Sequence, residues 1–428
     1  MTYVHTLILG GGLTGLSTAY HLQQLGHTNF LVLEQETTPG GLCRSIQKNG
    51  FTFDYSGHLL HLHTAYGKKF VRTLLKKNLR YVKRNAWVYT QNARVPFPFQ
   101  AHLYALPPQE RRACVEGLLR TPAPQTPRNF EQWCLSSFGK GIYEQFFRPY
   151  NTKLWGIPPR QLSCDWCGPF VPAPARKDML QSALQKPTRP HGYNAEFYYP
   201  KKGGIGALIN ALLKHINPVC LNSRLTRLDL KNRVAWINDT EKITFKYVVS
   251  TLALPELISC LAENPSLKKS AQKLRSRPVT IYYVALAREI KPFHWIYFPD
   301  KAQPFYRVGL VNSFYPGAVP EKGTSLLWVE LPGQVPHTLN MEQKVWDGLY
   351  QKGLVNEDDV PLFSTWQDIP YAYVLFNNER AQTVPALLSA LEKQNCYCAG
   401  RYGRWEYSFM ETSLLQGQQI AQKLANLV

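Results

Sequence analysis

The apolar positions at the start of the chain predict a strand, a helix and a second strand. Residues 4–9 form a short, β-prone apolar run of the kind that is buried in a parallel sheet. Apolar residues then recur with helical spacing up to position 25, and residues 30–33 form a second apolar run that ends at Glu34. This order predicts a βαβ unit within an α/β domain.

Farther along, the pattern changes character twice. Residues 100–190 have helical periodicity with proline-rich breaks at 121–127 and 158–159, whereas β-type patterns prevail from about 278 to 385. In this second region we expect strands at 279–286, 294–298, 305–311 and 325–331.

The segments around these two regions return to α/β character. In chain order, the pattern predicts a loop at 198–206, a helix at 207–215, a hairpin with arms at 219–230 and 233–243, a core strand at 247–251, a final strand at 396–399 and a helix from about residue 413. No internal repeat or low-complexity tract interrupts the chain.

Size and charge limit the class of protein. The chain has 428 residues, 44% of them apolar, which fits a globular protein of two or three domains. Its formal charge of +20 could attract anionic ligands. The lysines and arginines are scattered, however, and no nucleic-acid motif accompanies them, so we expect no nucleic-acid partner. The densest basic run, residues 76–84, is interpreted as a solvated face.

Cysteine usage and the N-terminus predict a cytoplasmic protein. Residues 1–3 run directly into the first strand, and no apolar stretch reaches membrane-spanning length, so we expect neither a signal peptide nor a transmembrane segment. The nine cysteines are irregularly spaced, which is typical of reduced thiols. Cys164 and Cys167 have redox spacing but lack a thioredoxin-like context. His58, His61 and His63 lack further ligands nearby, so we expect no metal site.

A glycine-rich turn after the first strand predicts a dinucleotide site. Gly10 permits a tight turn, Gly12 lets the backbone approach a pyrophosphate, and Gly15 lets the helix pack on the strand. The helix N-terminus would present free N–H groups to the phosphates. Glu34 follows at the distance where an acid accepts from a ribose hydroxyl.

The next segments specify the dinucleotide. Residues 39–45 and 51–58 resemble the extended FAD signature of the glutathione-reductase-like flavoproteins, and the strand at 396–399 returns to close the site. We therefore expect an α/β fold with a discontinuous Rossmann-like FAD-binding domain, a helical domain and an antiparallel β-sheet substrate domain. The predicted limits are 1–95, 196–275 and 388–428 for the FAD-binding domain, 96–195 for the helical domain and 276–387 for the substrate domain.

Five further segments resemble a narrower family. They are 95–100 (VPFPFQ), 148–155 (RPYNTKLW), 295–300 (WIYFPD), 304–307 (PFYR) and 400–407 (GRYGRWEY). With them the chain resembles the UDP-galactopyranose mutases over nearly its full length, and it is more similar to the eukaryotic-type branch than to the usual bacterial one. A shared flavin fold would not explain the middle segments, which in that family border the substrate.

The resemblance implies a reduced-FAD-dependent pyranose–furanose mutase acting on a nucleotide-diphosphate sugar. In that chemistry N5 of the reduced flavin is the nucleophile at the anomeric carbon, so the protein supplies positioning and electrostatics. NAD(P)H is a candidate reductant, a reductase a candidate partner, and a homo-oligomer a candidate assembly. A role in the furanose biosynthesis of cell-surface polysaccharides also follows from the resemblance alone.

Individual site residues are also implied by the resemblance. The catalytic residues would be Arg401, His58 and Arg307, with Arg307 clamping the diphosphate. Cofactor contacts are implied for Gly10, Gly12, Leu13, Thr14, Gly15, Glu34, Gly41, Leu42, Arg44, Gly57, His58, Leu225, Gly400, Arg401, Met410, Glu411 and Ser413. Substrate contacts are implied at the phosphates for Tyr297, Arg307, Tyr373 and Tyr407, at the sugar for Asn151, Trp155 and Asn194, and at the nucleobase for Phe97, Phe99 and Gln100.

The chain departs from the family pattern at three phenylalanines. Phe170 stands where the family has a second diphosphate arginine, and Phe314 stands where the eukaryotic-type branch has a phosphate-binding tyrosine. Phe97 replaces a base-stacking tyrosine. Loss of one charge-assisted contact removes about 1.5–3 kcal/mol, which Arg176 or Lys177 could offset. These departures put the identity of the sugar nucleotide in doubt.

Two other functions remain open. The same superfamily contains oxidases and desaturases of the amine-oxidase or protoporphyrinogen-oxidase type, which turn over with oxygen and an apolar or amine substrate. A catalytically silent FAD-binding protein would respond to neither class of substrate. A mutase would require reduction of the flavin before it could act, whereas an oxidase would turn over with oxygen.

Overall fold

The computed structural model describes residues 2–121, 126–188, 192 and 194–427. Its strands are β1 (Thr2–Leu9), β2 (Phe30–Leu33), β3 (Ser45–Lys48), β4 (Phe51–Asp54), β5 (Leu79–Lys83), β6 (Ala86–Thr90), β7 (Ala93–Pro96), β8 (Glu196–Pro200), β9 (Val219–Cys220), β10 (Leu225–Asp229), β11 (Val234–Ile237), β12 (Glu241–Ser250), β13 (Ser276–Leu286), β14 (Trp295–Tyr297), β15 (Arg307–Leu310), β16 (Ser325–Pro332), β17 (Pro361–Val374) and β18 (Cys396–Cys398).

The α-helices are distributed over the whole chain. They are α1 (Leu13–Gln24), α2 (Ala65–Leu75), α3 (Pro108–Leu119), α4 (Phe130–Ile142), α5 (Arg148–Trp155), α6 (Cys167–Phe170), α7 (Arg176–Gln181), α8 (Gly206–Leu213), α9 (Leu254–Ser259), α10 (Pro265–Ala271), α11 (Leu339–Gln351), α12 (Asn378–Glu392), α13 (Gly400–Gly403) and α14 (Met410–Ala425). As predicted, α3 to α7 make the region between 100 and 190 helical. Part of the predicted break at 121–127, residues 122–125, lies outside the described residues.

The first sheet has a parallel core of short apolar strands. Its order is β10-β11-β12-β1-β2-β9, and β18 pairs with the second half of β12. In the core, Leu7 lies opposite Leu31 of β2 and Val248 of β12, and all of β1 after Thr6 is buried. The last helix, α14, packs on α1. The C-terminal segment therefore completes the N-terminal sheet, and the predicted discontinuous α/β fold is confirmed.

The second sheet is mostly antiparallel and collects strands from two parts of the chain. Its order is β17-β13-β16-β15-β14-β6-β7, in which β14 and β6 are parallel. The four strands predicted between 279 and 331 are present as β13 to β16. β6 lies before the predicted domain limit at residue 95 and β7 spans it, yet both pair into this sheet. The predicted domain limits otherwise remain a prediction.

Three expectations for the elements are corrected by the structure. The predicted loop at 198–206 begins inside β8, which pairs with β5. The first predicted hairpin arm is two strands, β9 beside β2 and β10 beside β11, and the second arm ends at β11. Asn238 and Asp239 have φ values of 50° and 62°, the left-handed geometry of a type I′ turn, so the chain reverses there into β12.

The region predicted as β-type also contains helices. α11 lies between β16 and β17, with Thr338 as its N-cap, because the Thr338 side chain accepts a hydrogen bond from the N–H of Met341 at 3.3 Å. Its buried Val345 and Leu349 pack on the second sheet's outer apolar cluster. Helix α12 likewise begins before residue 385.

Two features bear on the class of protein. None of the helices in the described parts of the chain is long and apolar enough to cross a membrane. Within those same residues, no group of three or more His, Cys, Asp or Glu side chains could hold a metal ion. The nine cysteines are free thiols, and the structure therefore has no disulfide among them.

Candidate functional site

A cavity of about 560 Å³ lies between the two sheets. The carboxyl ends of β1 and β2 form one end of it, and β14, β15 and β16 of the second sheet form the other. The C-terminal segment from Gly400 to Ser413 closes the side. Ligands of open α/β sheets bind at the carboxyl ends of the strands, so this cavity is the candidate site.

The glycine turn leaves open space at one end of this cavity. Gly12 is the N-cap of α1, and a Cβ added to it would meet no protein atom within 4 Å. A Cβ on Gly15 would instead lie 2.0 Å from the carbonyl oxygen of Gly10, so that glycine is needed for packing of the helix on the strand. The open volume at Gly12 lies beside the first N–H groups of α1, where a phosphate would be stabilised.

Acidic and basic side chains follow at the same end. Glu34 is buried, and its Oε2 accepts from the N–H of Gly11 at 2.9 Å while its Oε1 accepts from the N–H of Glu36 at 3.0 Å. Arg44 donates from Nε to the carbonyl of Gly41 at 2.9 Å and lies 3.8 Å from Glu36. The cavity lining there also includes Arg224. This end is therefore polar and rigidly held.

At the other end of the cavity, three strands align a row of polar side chains. Tyr297 of β14 is in register with Arg307 of β15, and Arg307 is in register with Glu330 of β16. Residues in register point to the same face of a sheet. The next row contains Trp295, Gly309 and Trp328, and the indole of Trp328 occupies the space that a side chain on Gly309 would take.

Arg307 and Glu330 form a bidentate ion pair. The Nε of Arg307 donates to Oε2 of Glu330 at 2.8 Å, and Nη2 donates to Oε1 at 2.6 Å. The carboxylate is fully buried, and Ser56 also donates to it. Burial disfavours the charged carboxylate, but Arg307 and the hydrogen bonds hold the pKa of Glu330 below its ordinary value. The pair is thus ionised, and it fixes one edge of the guanidinium.

Arg401 and two tyrosines form the side wall. The Nη2 of Arg401 donates to the carbonyl of Ala372 at 2.7 Å, and the guanidinium lies 4.4 Å from the ring centre of Tyr407 and 5.7 Å from that of Tyr373. The two tyrosine rings are parallel with centres 6.1 Å apart. The wall therefore combines a cation with aromatic surface.

His58 lies in the lining as a neutral imidazole. Burial lowers its pKa to about 4, and the positive charge of Arg401 contributes to the shift. At neutral pH His58 can donate from one ring nitrogen and accept at the other, without adding charge to the cavity.

Some buried polar atoms of the lining have no partner in the described protein. Among them are Nε1 of Trp328 and Oγ of Ser408. A buried donor without an acceptor costs about 1–3 kcal/mol, so such atoms indicate a bound polar group. Together with the open space at Gly12 and the buried Glu34, they fit an elongated dinucleotide whose ring system reaches the second sheet.

Comparison with known proteins gives the family. A sequence model described as flavin containing amine oxidoreductase matches residues 13–425. The chain belongs to this family. Membership of the flavin containing amine oxidoreductases implies FAD as the cofactor, and the residues of the cavity fit it.

Individual relatives differ in what they are named for. A protein of Klebsiella pneumoniae named as a probable UDP-galactopyranose mutase is 26% identical over 171 residues, which are 38% of this chain and 44% of that protein. The match thus spans less than half of that relative. A crystal structure of reduced UDP-galactopyranose mutase superposes with a TM-score of 0.93 and 25% identity over 99% of this chain and 96% of that one.

An amine oxidase has the same fold. Cyclohexylamine oxidase from Brevibacterium oxydans IH-35A matches with a TM-score of 0.69 and 14% identity, covering 99% of both chains. The fold of this family member is therefore that of UDP-galactopyranose mutase, shared more distantly with an amine oxidase. The comparisons do not distinguish the eukaryotic-type branch, which remains a prediction.

Most predicted cofactor residues of this flavoprotein lie in the cavity lining. They are Gly10, Gly12, Leu13, Thr14, Glu34, Gly41, Leu42, Arg44, Gly57, His58, Leu225, Gly400, Arg401, Met410 and Ser413. Their contacts with FAD remain predictions. Gly15 lies behind the lining, in the packing role described above.

Glu411, whose contact with FAD remains a prediction, is bonded to the segment before α2. Its carboxylate accepts hydrogen bonds from the N–H groups of His63 at 2.9 Å and Thr64 at 2.9 Å and from the Thr64 hydroxyl at 2.7 Å. It thereby holds the start of α2 and is outside the cavity lining.

The predicted substrate residues fall into two groups. Asn194, Tyr297, Arg307, Tyr373 and Tyr407 line the cavity. The structure does not bring the other predicted residues into the lining; they are Phe97, Phe99, Gln100, Asn151 and Trp155. The ring of Phe97 lies 5.0 Å from that of Tyr297 and the ring of Trp155 lies 5.5 Å from that of Tyr373, both in the lining, and the predicted substrate contacts of all five residues remain predictions.

The second group has partners within the helical region. Phe99 is fully buried against Phe146, with ring centres 5.2 Å apart, and Gln100 donates to the carbonyl of Pro172. Asn151 accepts from Nε1 of Trp155 at 3.2 Å. Phe99 and Asn151 are thus engaged within the protein, whereas Oε1 of Gln100 is buried without a partner among the described residues.

The two other departures from the mutase pattern have different surroundings. The ring of Phe170 lies 4.4 Å from that of Tyr407 and 4.6 Å from that of Phe409, beside the side wall. Phe314 is buried, 4.9 Å from the ring of Tyr199 and 5.8 Å from that of Trp328. Phe170 thus replaces charge with aromatic surface beside the cavity, whereas Phe314 is outside its lining.

Residues that the sequence reasoning missed come chiefly from β16 and its neighbours. Trp328 and Glu330 line the cavity together with Ser56 and Tyr306. A signal was present, because Glu330 is a lone charged residue in the apolar segment 325–331 and is two positions from Trp328. Charged residues are seldom fully buried without a partner.

Proposed function

We propose that the protein is a reduced-FAD-dependent mutase that interconverts the pyranose and furanose forms of a nucleotide-diphosphate sugar. The observation that carries the proposal is the row of Tyr297, Arg307 and Glu330 facing the cavity beside Arg401. The likeness to reduced UDP-galactopyranose mutase over nearly the full length of both chains supports it. Reduced FAD, when bound, would supply the nucleophilic N5.

The protein's part in this reaction is to hold the diphosphate as it leaves. Glu330 bonds the Nε and Nη2 edge of the Arg307 guanidinium, so the Nη1 edge is directed away from that carboxylate. We assign this edge to a phosphate oxygen, with hydrogen bonds from the hydroxyls of Tyr297, Tyr373 and Tyr407. Donors held in fixed positions stabilise developing charge without reorganising.

Arg401 and His58 are assigned to the reacting end of the sugar. The guanidinium of Arg401 is fixed by Ala372 and by the ring of Tyr407, so its charge is stationary in the cavity. Neutral His58 would accept or donate one hydrogen bond near the flavin ring. The aromatic walls limit water around the reacting carbon. NAD(P)H or a partner reductase is the proposed source of electrons.

Nucleotide binding tests the assignment of Arg307. Arg307→Ala should weaken the binding of UDP to the flavin-loaded protein by about 2–5 kcal/mol, while the protein retains FAD. Titration of flavin fluorescence with UDP measures the change. Arg288→Ala is the matched control, because Arg288 forms a similar bidentate pair with Asp359 at 2.7 Å, outside the cavity lining. Unchanged UDP affinity in Arg307→Ala would refute the phosphate clamp.

An oxidase or desaturase is the second candidate, because one observation favours it. Glu330 neutralises Arg307, and Phe170 adds aromatic surface, so the reacting end of the cavity suits an apolar or amine substrate. The substitution Phe170→Arg distinguishes the mutase from the oxidase, and Phe170→Leu is the control that adds no charge. A mutase for a diphosphate sugar should gain UDP affinity of roughly tenfold from the added cation, whereas an oxidase should consume oxygen with an amine and gain no UDP affinity.

A further inference from the structure

A long acid-free segment of the chain provides a strongly basic surface. Between Asp54 and Glu110 the sequence has nine lysines and arginines and no aspartate or glutamate. The segment covers α2 and β5, which lie outside the cavity described above. The proposed reaction assigns this charge no role.

Helix α2 presents part of this charge as a stripe. Lys69 and Arg72 are three residues apart in α2, so they lie on one side of the helix, and Lys76 follows at its C-cap with a φ of 49°; all three are exposed. The opposite side packs inward through Phe70, Val71 and Leu75. Lys77 follows directly and is also exposed.

A second pair of lysines is tied to the end of this stripe. The side chain of Asn78 donates to the carbonyl of Lys202 at 3.1 Å and accepts from its N–H at 2.9 Å. Lys201 and Lys202 are exposed there. Asn78, which holds them, directly follows Lys77 in the turn after α2. We call Lys69, Arg72, Lys76, Lys77, Lys201 and Lys202 the basic face.

An exposed aromatic residue lies within the basic face. The outward side of the β5–β8 ribbon has Tyr81 in register with Tyr198, their ring centres 5.6 Å apart. Tyr81 is 45% exposed. The guanidinium of Arg72 lies 5.8 Å from the ring centre of Tyr198 and 3.4 Å from its hydroxyl. The tyrosines therefore connect the helical stripe to the ribbon.

The cations of the basic face are not neutralised by the described protein. The ion pairs found among the described residues involve other arginines and lysines, such as Arg288, Arg307 and Lys423. Glu196 is the acid that lies on the ribbon, in register with Lys83. In the described parts of the chain none of the six cations forms an ion pair, and Tyr81 shares a hydrogen bond with Glu196.

We propose that the basic face binds the surface of an anionic lipid bilayer. Lysines beside a lipid surface contribute additively, and tyrosine suits the interface between water and lipid. Five of the six cations are lysines, which attract phosphate as point charges and lack the planar fork with which arginine reads nucleic-acid bases. The basic face therefore suits a surface with many negative charges better than a particular nucleic-acid sequence or a particular sugar.

Docking on this face would bring the cavity close to the bilayer. The β5–β8 ribbon runs from the lysine pair to Arg84, which donates to Asn194 at the other end, and Asn194 lines the cavity. A protein held by the basic face would work beside membrane-bound substrates or partners. The binding itself requires neither flavin chemistry nor a nucleotide sugar, so its test is independent of the proposed reaction.

Vesicle sedimentation tests the proposal on the flavin-loaded full chain. Wild type should bind vesicles with 30% phosphatidylglycerol at about 0.1 M salt and should bind pure phosphatidylcholine vesicles far more weakly. Reversing Lys76, Lys77, Lys201 and Lys202 to glutamate should lower the affinity by at least about 100-fold, since each cation contributes on the order of fivefold. Tyr81→Ser should lower it by a smaller factor.

The control has the same net charge in a different place. Reversal of Lys231, Lys269, Lys273 and Lys393, which are exposed elsewhere, should change the affinity by less than about threefold. Equal losses in both variants would mean that only net charge matters, and the basic face would be refuted. Absence of wild-type binding, or tighter binding to short duplex DNA at equal phosphate concentration, would overturn the proposal as well.

Discussion

At the scale of single residues, the least expected feature is the carboxylate beside the proposed phosphate clamp. Arg307 was identifiable from the sequence because an arginine in an apolar motif needs an anionic partner. The structure supplies that partner from within, since Glu330 binds the guanidinium at 2.6 and 2.8 Å. In our account Glu330 both orients Arg307 and competes with a phosphate for its charge.

This competition predicts the effect of Glu330→Gln. Glutamine keeps an acceptor for Arg307 but removes the negative charge, so the affinity for UDP should rise by about tenfold. The free energy of unfolding should fall by about 1–3 kcal/mol, because a partly buried cation loses its counter-ion. UDP titration and thermal unfolding with and without UDP measure both effects.

The pair between Arg288 and Asp359 provides the control for this substitution. Asp359→Asn removes a similar bidentate partner in the second sheet and should destabilise the protein without changing UDP affinity. If Glu330→Gln left UDP affinity unchanged or lowered it, Glu330 would not compete for Arg307.

The glycine turn yields a second prediction at this scale. Gly12→Val adds a side chain where no protein atom lies within 4 Å, so the fold should tolerate it while the space for the cofactor's phosphates is filled. The purified variant should have a native circular dichroism spectrum and no bound flavin. Gly168→Ala, at another glycine with an open Cβ position, should remain yellow. A yellow Gly12→Val protein would contradict the phosphate cradle.

The relative positions of site residues are predictable from sequence where one local motif contains all of them. Gly10, Gly12, Gly15 and Glu34 occupy a single βαβ unit, so their spacing determines their arrangement. The neighbours of Arg307 are instead determined by strand register, which joins positions 297, 307 and 330. Register depends on the packing of whole strands, and no short motif encodes it.

At the scale of elements, the start of α8 shows how a buried carboxylate connects strands to a helix. Asp54, at the end of β4, accepts hydrogen bonds from the hydroxyls of Ser45 and Tyr199 and from the N–H of Ile205 at 3.1 Å. Ser45 in turn accepts from the N–H of Gly206 at 2.8 Å. The network satisfies N–H groups at the beginning of α8.

Burial of Asp54 predicts a pH dependence of stability. Burial raises the pKa of Asp54 to about 6 despite the three hydrogen bonds. The folded state therefore binds this proton more tightly than the unfolded chain does, and the contribution of Asp54 to stability falls as the pH rises from about 4 to about 6. The loss should be roughly 3 kcal/mol.

Asp54→Asn checks this prediction, since asparagine cannot ionise. Denaturant unfolding of the flavin-loaded protein at a series of pH values should give a flatter profile for Asp54→Asn than for wild type between pH 4 and 6. Asp239→Asn, on the exposed turn between β11 and β12, is the control and should keep the wild-type profile. Parallel profiles for wild type and Asp54→Asn would disprove the role of burial.

The elements also show what a pattern can predict. Strands β13 to β16 were predicted because they are apolar and bounded by turn residues. β6 and β7 were not predicted to join the second sheet, because their partner β14 lies about 200 residues farther along. The Asn238–Asp239 pair is a typical turn signal, but it lies inside the predicted hairpin arm 233–243, so no turn was predicted there.

At the scale of the whole molecule, the site exists because two sheets from interleaved segments face each other. The first sheet contributes the glycine turn, the second contributes the row with Arg307, and the C-terminal segment contributes Arg401. The return of the C-terminus was implied by the resemblance to the glutathione-reductase-like flavoproteins, with the apolar run before Gly400 as the final strand. The position of the helical region was not, because the contacts of Phe99, Gln100 and Asn151 depend on how separate helices pack.

The activity of this protein depends on the reacting end of the cavity. The fold and the family are shared by mutases and amine oxidases, and function is determined by the side chains that meet the substrate. Here those side chains are one arginine paired with a carboxylate, a second arginine, Arg401, held by a backbone carbonyl and an aromatic ring, and a wall of tyrosines. The cytoplasmic location and the oligomeric state remain predictions.

The most direct measurement is isomer formation by the reduced protein. The flavin-loaded protein is reduced with dithionite without oxygen and incubated with UDP-, GDP- and dTDP-sugars, and the products are separated by chromatography. Our account predicts a furanose isomer of one sugar nucleotide with reduced protein, none with oxidised protein, and a strongly reduced yield with Arg307→Ala. No isomer from any sugar nucleotide, together with rapid oxygen consumption in the presence of an amine or a porphyrinogen, would contradict it.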